Sequence, residues 1–304
     1  MSDDAPNAQP RSKRAVVDGW VVFDKPVGMT STHAVSRLKR LLNAKKAGHA
    51  GTLDPLASGI LPVAFGEATK TVPFVQDGDK AYRFTVRWGT ETDTDDSDGK
   101  PVERSELRPG RDAILEFLPA FIGTILQRPP AYSAIKIAGE RAYDLARDGV
   151  AVEIAPRNVT IHSLDLVEDA REEATFEARC GKGTYVRAIA RDLGRMLGCF
   201  GHVTALRRTQ VGPFGIDRAV TLADIEAAPA QCLEPIEAGL TELPCILVDR
   251  SLAARLRRGQ SIILRGRDAP SGGAAYASCG GVVIATGLVE GGELMPNRVF
   301  SAPF

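Results

Sequence analysis

Between Lys46 and Pro55 the chain reads Lys-Ala-Gly-His-Ala-Gly-Thr-Leu-Asp-Pro, a loop presenting one carboxylate, Asp54, behind a basic stretch of Arg37, Lys39, Arg40, Lys45 and Lys46. Gly48 and Gly51 permit turns that residues with side chains resist. Pro55 restricts Asp54 to extended backbone and keeps the acid out of mid-helix register. A lone acid among cations and glycines suits presentation of a carboxylate to a polyanion. The same dipeptide has a commoner use, with Asp as N-cap and Pro as the first residue of a helix. On that reading a helix opens at Leu56-Ala-Ser. The dipeptide alone leaves cap and catalyst both open.

The elements around this loop are legible in outline. Trp20 to Phe23 reads as a strand, closed by Lys25-Pro26 and Gly28. Thr30, Ser31 or Thr32 then caps a helix whose Val35, Leu38 and Leu42 fall on one face. Ala81 to Trp88 alternates, with Tyr82, Phe84, Val86 and Trp88 opposite Arg83, Thr85 and Arg87, the pattern of a half-buried strand. Val159 to Val167 and Ala174 to Cys180 are two more strands. Gly181-Lys-Gly-Thr184 turns the chain into a helix over Tyr185 to Leu197, with core stripe Val186, Ile189, Leu193 and Leu197. Arg187, Arg191 and Arg195 repeat every four residues beside that stripe, where pattern alone reads them as surface residues.

Further elements are a short helix around Ile114 to Leu118, a proline-stiffened loop over Gln127 to Lys136, and a helix over Gly139 to Arg147. From about Leu222 to Cys245 the composition is that of an Ala/Pro/Glu-rich connector. Residues 246–304 then read as a small separate module: a basic helix (Arg250, Arg255, Arg257, Arg258), a strand Ile262 to Arg265, a glycine-rich loop over Gly272 to Gly281, and strands around Val282 to Ile284 and Val299. That module holds seven arginines, no lysine and four carboxylates, a charge of +3, so the remainder carries −3.

Whole-chain numbers narrow the class. At 304 residues there is room for one substantial domain and a small one, and a formal net charge of zero places any polyanion site in local clusters. Five widely spaced cysteines without a C-x-x-C pair argue against a disulfide framework and a zinc site, and fit a reducing compartment. Residues 1–17 lack an apolar h-region and read as a disordered tail, and no apolar run approaches the roughly 20 residues of a spanning helix. A cytoplasmic protein is expected.

Several chemistries fail on spacing. Gly66-Glu-Ala-Thr-Lys70 has Thr69 where a Walker loop needs glycine, and the four histidines show no metal spacing. Placing Gly99 at position six of a calcium loop would put Thr94 and Ser105 at ligand positions, so the acids of Thr90 to Gly99 read as a solvated turn. No nucleophile elbow is present, and no second acid sits in a loop like that of Asp54. A single Asp with arginines and aromatics suits chemistry on a nucleotide, where an aromatic stacks on a base and arginine meets phosphate or fixes the acid.

Six ordered blocks carry a family resemblance: Gly19-Trp-Val-Val-Phe-Asp-Lys-Pro-Val-Gly28, Ala47 to Pro62, Gly66 to Lys70, Thr92-Asp-Thr-Asp95, Pro129 to Lys136, and Gly181-Lys-Gly-Thr-Tyr-Val-Arg187 with His202 to Arg208 behind. Over residues 18 to 220 the chain resembles the bacterial tRNA pseudouridine synthase B (TruB) family, which isomerises uridine 55 in the T loop of tRNA. The C-terminal segment resembles the small PUA RNA-binding barrel more loosely, its lysine-free glycine-rich middle departing from the usual pattern.

The resemblance implies an α+β pseudouridine synthase fold: a central mixed, largely antiparallel sheet with flanking helices, catalytic over 18–245, plus a PUA-like β-barrel over 246–304. It implies that Asp54 attacks the ribose or initiates glycosidic cleavage, that Arg187 pairs with Asp54, and that Tyr82 stacks on the target base and takes part in proton removal at carbon 5. By the same match Tyr185 and Leu206 line the uracil pocket, His49 takes up space in the T loop when the nucleotide is flipped, and Lys25 and Lys70 contact phosphate. The implied partner is the tRNA T stem-loop, with no metal, organic cofactor, membrane or obligatory protein partner. Two rivals share these features: a guide-RNA-dependent, dyskerin-like synthase, and a non-catalytic RNA chaperone. The Lys46 to His49 lead-in and the absence of a long basic C-terminal extension disfavour the first, and the Asp54, Tyr82 and Arg187 set disfavours the second.

Overall fold

The structure, a computed structural model, describes residues 14–133, 136–137, 140–141, 154–264, 266 and 270–301. Of the helix expected over 139–147 only residues 140–141 are described, and they form a strand; the rest of it and most of the expected tail lie outside.

Among the described residues thirteen strands precede the C-terminal module: β1 (Gly19–Lys25), β2 (Ala47–His49), β3 (Ser58–Phe65), β4 (Lys80–Trp88), β5 (Thr90–Thr92), β6 (Pro101–Arg104), β7 (Gly123–Gln127), β8 (Lys136–Ile137), β9 (Glu140–Arg141), β10 (Arg157–Asp169), β11 (Glu173–Cys180), β12 (Gly201–Val211) and β13 (Phe214–Gly215). Nine of them form one sheet in the order β1-β3-β12-β4-β11-β10-β7, with β2 on β3 and β13 on β12. Every pairing in it is antiparallel except β3 with β12. This is the mixed, largely antiparallel sheet of an α+β fold. Its described helices are α1 (Ser31–Leu41), α2 (Val72–Asp77), α3 (Arg111–Phe117), α4 (Val186–Met196) and α5 (Leu222–Ala227).

The alternation of β4 places Phe84, Val86 and Trp88 in the core, where Phe84 stacks on Phe176 at 5.5 Å between ring centroids. The stripe of α4, Val186, Ile189 and Leu193, is buried in the same cluster. Residues 222–245 are no loose connector. They form α5 and two 3₁₀ turns, pair Trp20 with Glu234 through two backbone hydrogen bonds of 2.8 Å, and bury Ile225, Ile236 and Leu240. Their alanines and prolines build tight turns against Trp20, a packing choice that composition does not reveal.

The module beyond contains β14 (Cys245–Leu247), α6 (Arg250–Arg257), β15 (Ile262–Ile263), β16 (Gly273–Cys279), β17 (Val282–Glu290) and β18 (Glu293–Val299). Its strands make a curled five-stranded sheet, a half-barrel, in the order β14-β16-β17-β18-β15. The stretch read as a glycine-rich loop is largely strand β16, because Ala275, Ala277 and Cys279 alternate inward against β17. This sheet has its own core around Leu256, Ile284 and Leu294, and it also contributes Val283 and Phe300 to a cluster with Trp20 and Phe214. Among the described residues no helix is long and apolar enough to cross a membrane.

Candidate active site

The Asp54 loop runs from β2 into β3, and its backbone is held along its length. No helix opens at Leu56. Ala57 N–H donates to Asp54 O at 3.1 Å, closing a turn with Pro55 at its second position, and β3 begins at Ser58. The pull of the sheet, where β3 pairs with β1 along seven residues, outweighs the cap signal of Asp-Pro. Gly28 N–H donates to Pro55 O at 2.7 Å. The buried Ser31 hydroxyl, at the start of α1, donates to Leu53 O and accepts from Leu53 N–H, both at 2.9 Å. Arg208 donates from its two terminal nitrogens to Gly51 O and Thr52 O, both at 3.1 Å. Gly51 adopts φ +99°, which favours glycine, whereas Gly48 is ordinary strand within β2.

Two arginines of α4 are buried, and the first reaches this turn. Arg187 is 4% exposed. One end of its guanidinium lies 2.8 Å from Asp54 Oδ2 and the other 3.3 Å from Asp96 Oδ2, while the fork also donates to Thr94 O (2.7 Å) and Tyr132 O (2.9 Å). Arg191 pairs with Asp95 at 3.0 Å. The surface reading therefore fails for Arg187 and Arg191 and holds only for half-exposed Arg195, which pairs with Glu91. The solvated-turn reading of Thr90 to Gly99 fails with it, since Asp95 and Asp96 are buried. The Asp96 carboxylate also accepts from the Thr94 hydroxyl at 2.6 Å and the Asp98 N–H at 3.1 Å. Burial pushes both carboxyls up, Asp95 to about 6, against the pull of Arg191 and Arg187 on the first and of Thr94 and Arg187 on the second. A buried charge pair satisfied on every side fixes geometry more than it adds stability.

Of the three groups Asp54, Arg187 and Asp96, Asp54 faces solvent: its side chain is 36% exposed and the other two are buried. It opens on a cleft of about 530 Å³ whose lining includes Tyr82, Tyr185, Leu206, Arg187 and Arg208. Lys80, Arg157, Lys182, Arg187 and Arg208 line it against two carboxylates, Asp54 and Asp77, which gives a locally positive site on a chain of zero net charge. Buried Gln127 clamps Tyr185, accepting from its N–H at 2.8 Å and donating to its C=O at 3.2 Å. Arg157 covers the Tyr185 ring at 5.3 Å. Burial raises the Tyr82 hydroxyl above the usual phenol range, with Arg208 opposing. The cleft thus sets an acid beside two aromatic rings and one aliphatic wall, an arrangement suited to holding a planar base.

The structure brings Asp54, Tyr82, Arg187, Tyr185 and Leu206 into one cleft. His49 lies on β2 opposite Val63, partly buried and outside the cleft lining. The two lysines expected at phosphate are both engaged within the chain. Lys25 is fully buried, and its ammonium donates to Pro26 O, Met29 O and Ala57 O at 2.6–2.9 Å, so it holds the Asp54 turn from beneath. Lys70 donates to Glu67 and to Val299 O at 2.7–2.8 Å and lies over the Phe300 ring, so it fastens the C-terminal sheet to the rest of the chain. Composition reads both as surface lysines; the fold turns Lys25 inward and leaves Lys70 partly exposed. Arg208 and Asp96 were missed as site residues. Both stand in or beside the quoted blocks, but nothing in sequence says that an arginine is buried.

Burial lowers the Lys25 ammonium to about 8, with Asp54 opposing and Arg208 adding. The unfolded chain therefore binds more protons than the folded one from about pH 8 up to the ordinary value of 10.5. In that window Lys25 makes stability rise with pH, and its contribution is lost as pH falls through about 8. Urea midpoints of the wild type and Lys25→Met across that range check this: the wild type should gain on the variant as pH rises. Parallel curves would contradict a buried, carbonyl-capped ammonium.

Comparison with known proteins follows the same lines. Family models for the N-terminal domain of TruB family pseudouridylate synthases and for the tRNA pseudouridylate synthase B C-terminal domain match residues 39–186 and 187–241. A tRNA pseudouridine synthase B of Bradyrhizobium diazoefficiens is 59% identical over 305 residues, covering 96% of this chain and 88% of that protein. Proteins of the same name from Rhodopseudomonas palustris and Agrobacterium fabrum are 56% and 53% identical, covering 97% and 95% of this chain and 84% and 96% of theirs. Among solved structures, a Cbf5-Nop10-Gar1 complex superposes with a TM-score of 0.71 at 24% identity, over 93% of this chain and 84% of that one. An H/ACA RNP bound to a substrate RNA containing 2′-deoxyuridine gives 0.73 at 22%, over 98% and 93%. At these identities the two structures speak to fold alone.

Proposed function

The chain belongs to the TruB family of pseudouridylate synthases, and on that premise we propose that the Asp54 cleft isomerises uridine 55 in the T loop of tRNA without a guide RNA. It is an enzyme that converts uridine in tRNA to pseudouridine. The observation that carries the finer reading is the Asp54 carboxylate, 2.8 Å from a locked Arg187 and facing a cleft walled by Tyr82, Tyr185 and Leu206.

An acid at the end of such a turn cannot reach a sugar–base bond inside a stacked loop, so the nucleotide must be flipped into the cleft. Asp54 initiates cleavage of the bond between ribose C1′ and uracil N1. The freed base, held between aromatic walls, turns until its C5 faces C1′. A C5–C1′ bond forms, the C5 proton leaves with Tyr82 at hand, and N1 takes up a proton. Atoms and electrons balance without a co-reactant. Arg187 fixes the direction of the carboxylate, and its own locking by Asp96 and two carbonyls makes that direction rigid.

In this reading residues 18–245 carry the chemistry. Residues 246–304, with arginine-rich α6, are a PUA-like module for the tRNA backbone. His49, on the strand that leads into the turn, fills the T loop vacated by the flipped nucleotide. Recognition rests on the folded loop's shape more than on extended base readout. The enzyme needs no metal, cofactor or protein partner and works in the cytoplasm. Tritium release from a T-loop transcript labelled at uridine C5, with purified protein alone, tests this. Release without guide RNA is expected, and release only with a guide RNA, or none at all, contradicts it.

A further inference from the structure

Arg208 is 2% exposed and enters the cleft from β12. Its Nε donates to Ile60 O at 2.8 Å, and its terminal nitrogens donate to Gly51 O and Thr52 O at 3.1 Å. All three partners are peptide carbonyls, two in the Asp54 loop and one in β3. Below it, β3 presses against β12 so closely that a Cβ at Gly59 would lie 2.1 Å from Arg208 O. In the β12–β4 ladder Arg208 stands directly opposite Tyr82, and opposed residues of an antiparallel pair project to the same side about 5 Å apart. The guanidinium holds the chain just before Asp54, and the Tyr82 hydroxyl lies within its hydrogen-bonding reach. Three charged or titratable groups bear on that hydroxyl: Arg208 from β12, Cys180 from β11 and Asp54 from the turn, of which only Arg208 favours the charged form.

We propose that Arg208 is a positioning residue that ties the Asp54 turn and the Tyr82 ring into one rigid unit. This inference rests on the proposed isomerisation. Its two bond changes occur at different atoms, separated by a rotation of the base. The acid acting at the sugar and the hydroxyl acting at C5 must keep a fixed spacing while the base turns between them. The planar fork spans several carbonyls and the phenol at once, which a lysine ammonium on a flexible stem does not.

Arg208→Lys and Arg208→Met in the full chain test this, assayed well below each variant's melting temperature. Single-turnover rates on a T-loop transcript should fall about 10²-fold for both, with tRNA Kd within about threefold, since misplacement by about 1 Å costs that much while backbone affinity is set elsewhere. The ¹³Cζ resonance of Tyr82, assigned by Tyr82→Phe, should move, and amide exchange at residues 51–54 should quicken. If Arg208→Met does not fold, the lysine variant carries the test alone. Rates within about threefold of wild type, or slow rates with an unmoved Tyr82 resonance and unchanged loop exchange, overturn the proposal. Wild-type protein releasing no tritium would sink the isomerase reading instead, while the resonance and the exchange would still decide whether Arg208 ties the two groups.

Discussion

Asp54→Asn is expected to abolish isomerisation, by about 10⁴-fold or more, as removal of a group that bonds to or initiates change at the reacting atom does. The amide keeps the shape of the carboxylate and an oxygen for Arg187, so the turn held by Ser31, Lys25 and Arg208 should not move. Arg187 retains Asp96 at 3.3 Å and is left with no unpaired charge. Affinity for tRNA should stay within about tenfold, because phosphate contacts dominate it and one acid contributes little. Single-turnover rates and filter-binding on the same preparation separate the two effects. Loss of binding along with activity would make Asp54 a structural residue.

Arg187→Gln has the next largest expected effect, and it acts twice. Catalysis should fall about 10²- to 10³-fold, because the carboxylate loses the charged donor that aims it. Stability should fall by about 3–5 kcal/mol, the usual result of removing one partner of a buried pair, since Asp96 is left buried without its cation. The sign of the pH dependence follows. Burial already raises Asp96 above the ordinary carboxylate value, and Arg187 opposes that rise. Without the arginine the folded-state value climbs further, so the folded form binds the extra proton. The variant should recover part of its stability as pH falls toward the ordinary carboxylate range and lose it as pH rises through the raised value. Arg187→Gln/Asp96→Asn should restore the urea midpoint without restoring turnover. Recovery of both together would reduce Arg187 to a structural prop.

What the sequence exposed, and what it hid, divides along the range of the interactions. The alternation of Tyr82, Phe84, Val86 and Trp88 and the stripe of Val186, Ile189 and Leu193 are local patterns, and both elements stand where their periodicity puts them. Asp54 is singled out by its loop and by the family blocks, with Arg187, Tyr185 and Leu206 following from the blocks alone and Tyr82 from the wider family match between them. Hidden were the facts that depend on partners far away in the chain. Asp95 looks solvated until Arg191, 96 residues beyond it, is folded onto it. Lys25 looks like a surface lysine until the strand it ends is placed under the Asp54 turn. Leu56 looks helical until β3 claims the residues after it. A charge buried by tertiary contact carries no local mark, which is why Arg208 went unremarked although it touches both halves of the site.

A structure of the protein with a T-loop RNA carrying 5-fluorouridine at position 55 tests the central claim most directly. Fluorine replaces the proton that must leave C5, so a rearranged base cannot complete the last step and is held in place. The expected result is a flipped nucleotide in the Asp54 cleft, its ribose C1′ within about 3.5 Å of an Asp54 oxygen, as a reactive approach requires, and its ring against Tyr82. A fluorouridine left stacked in the RNA loop, or seated away from Asp54, would contradict the account.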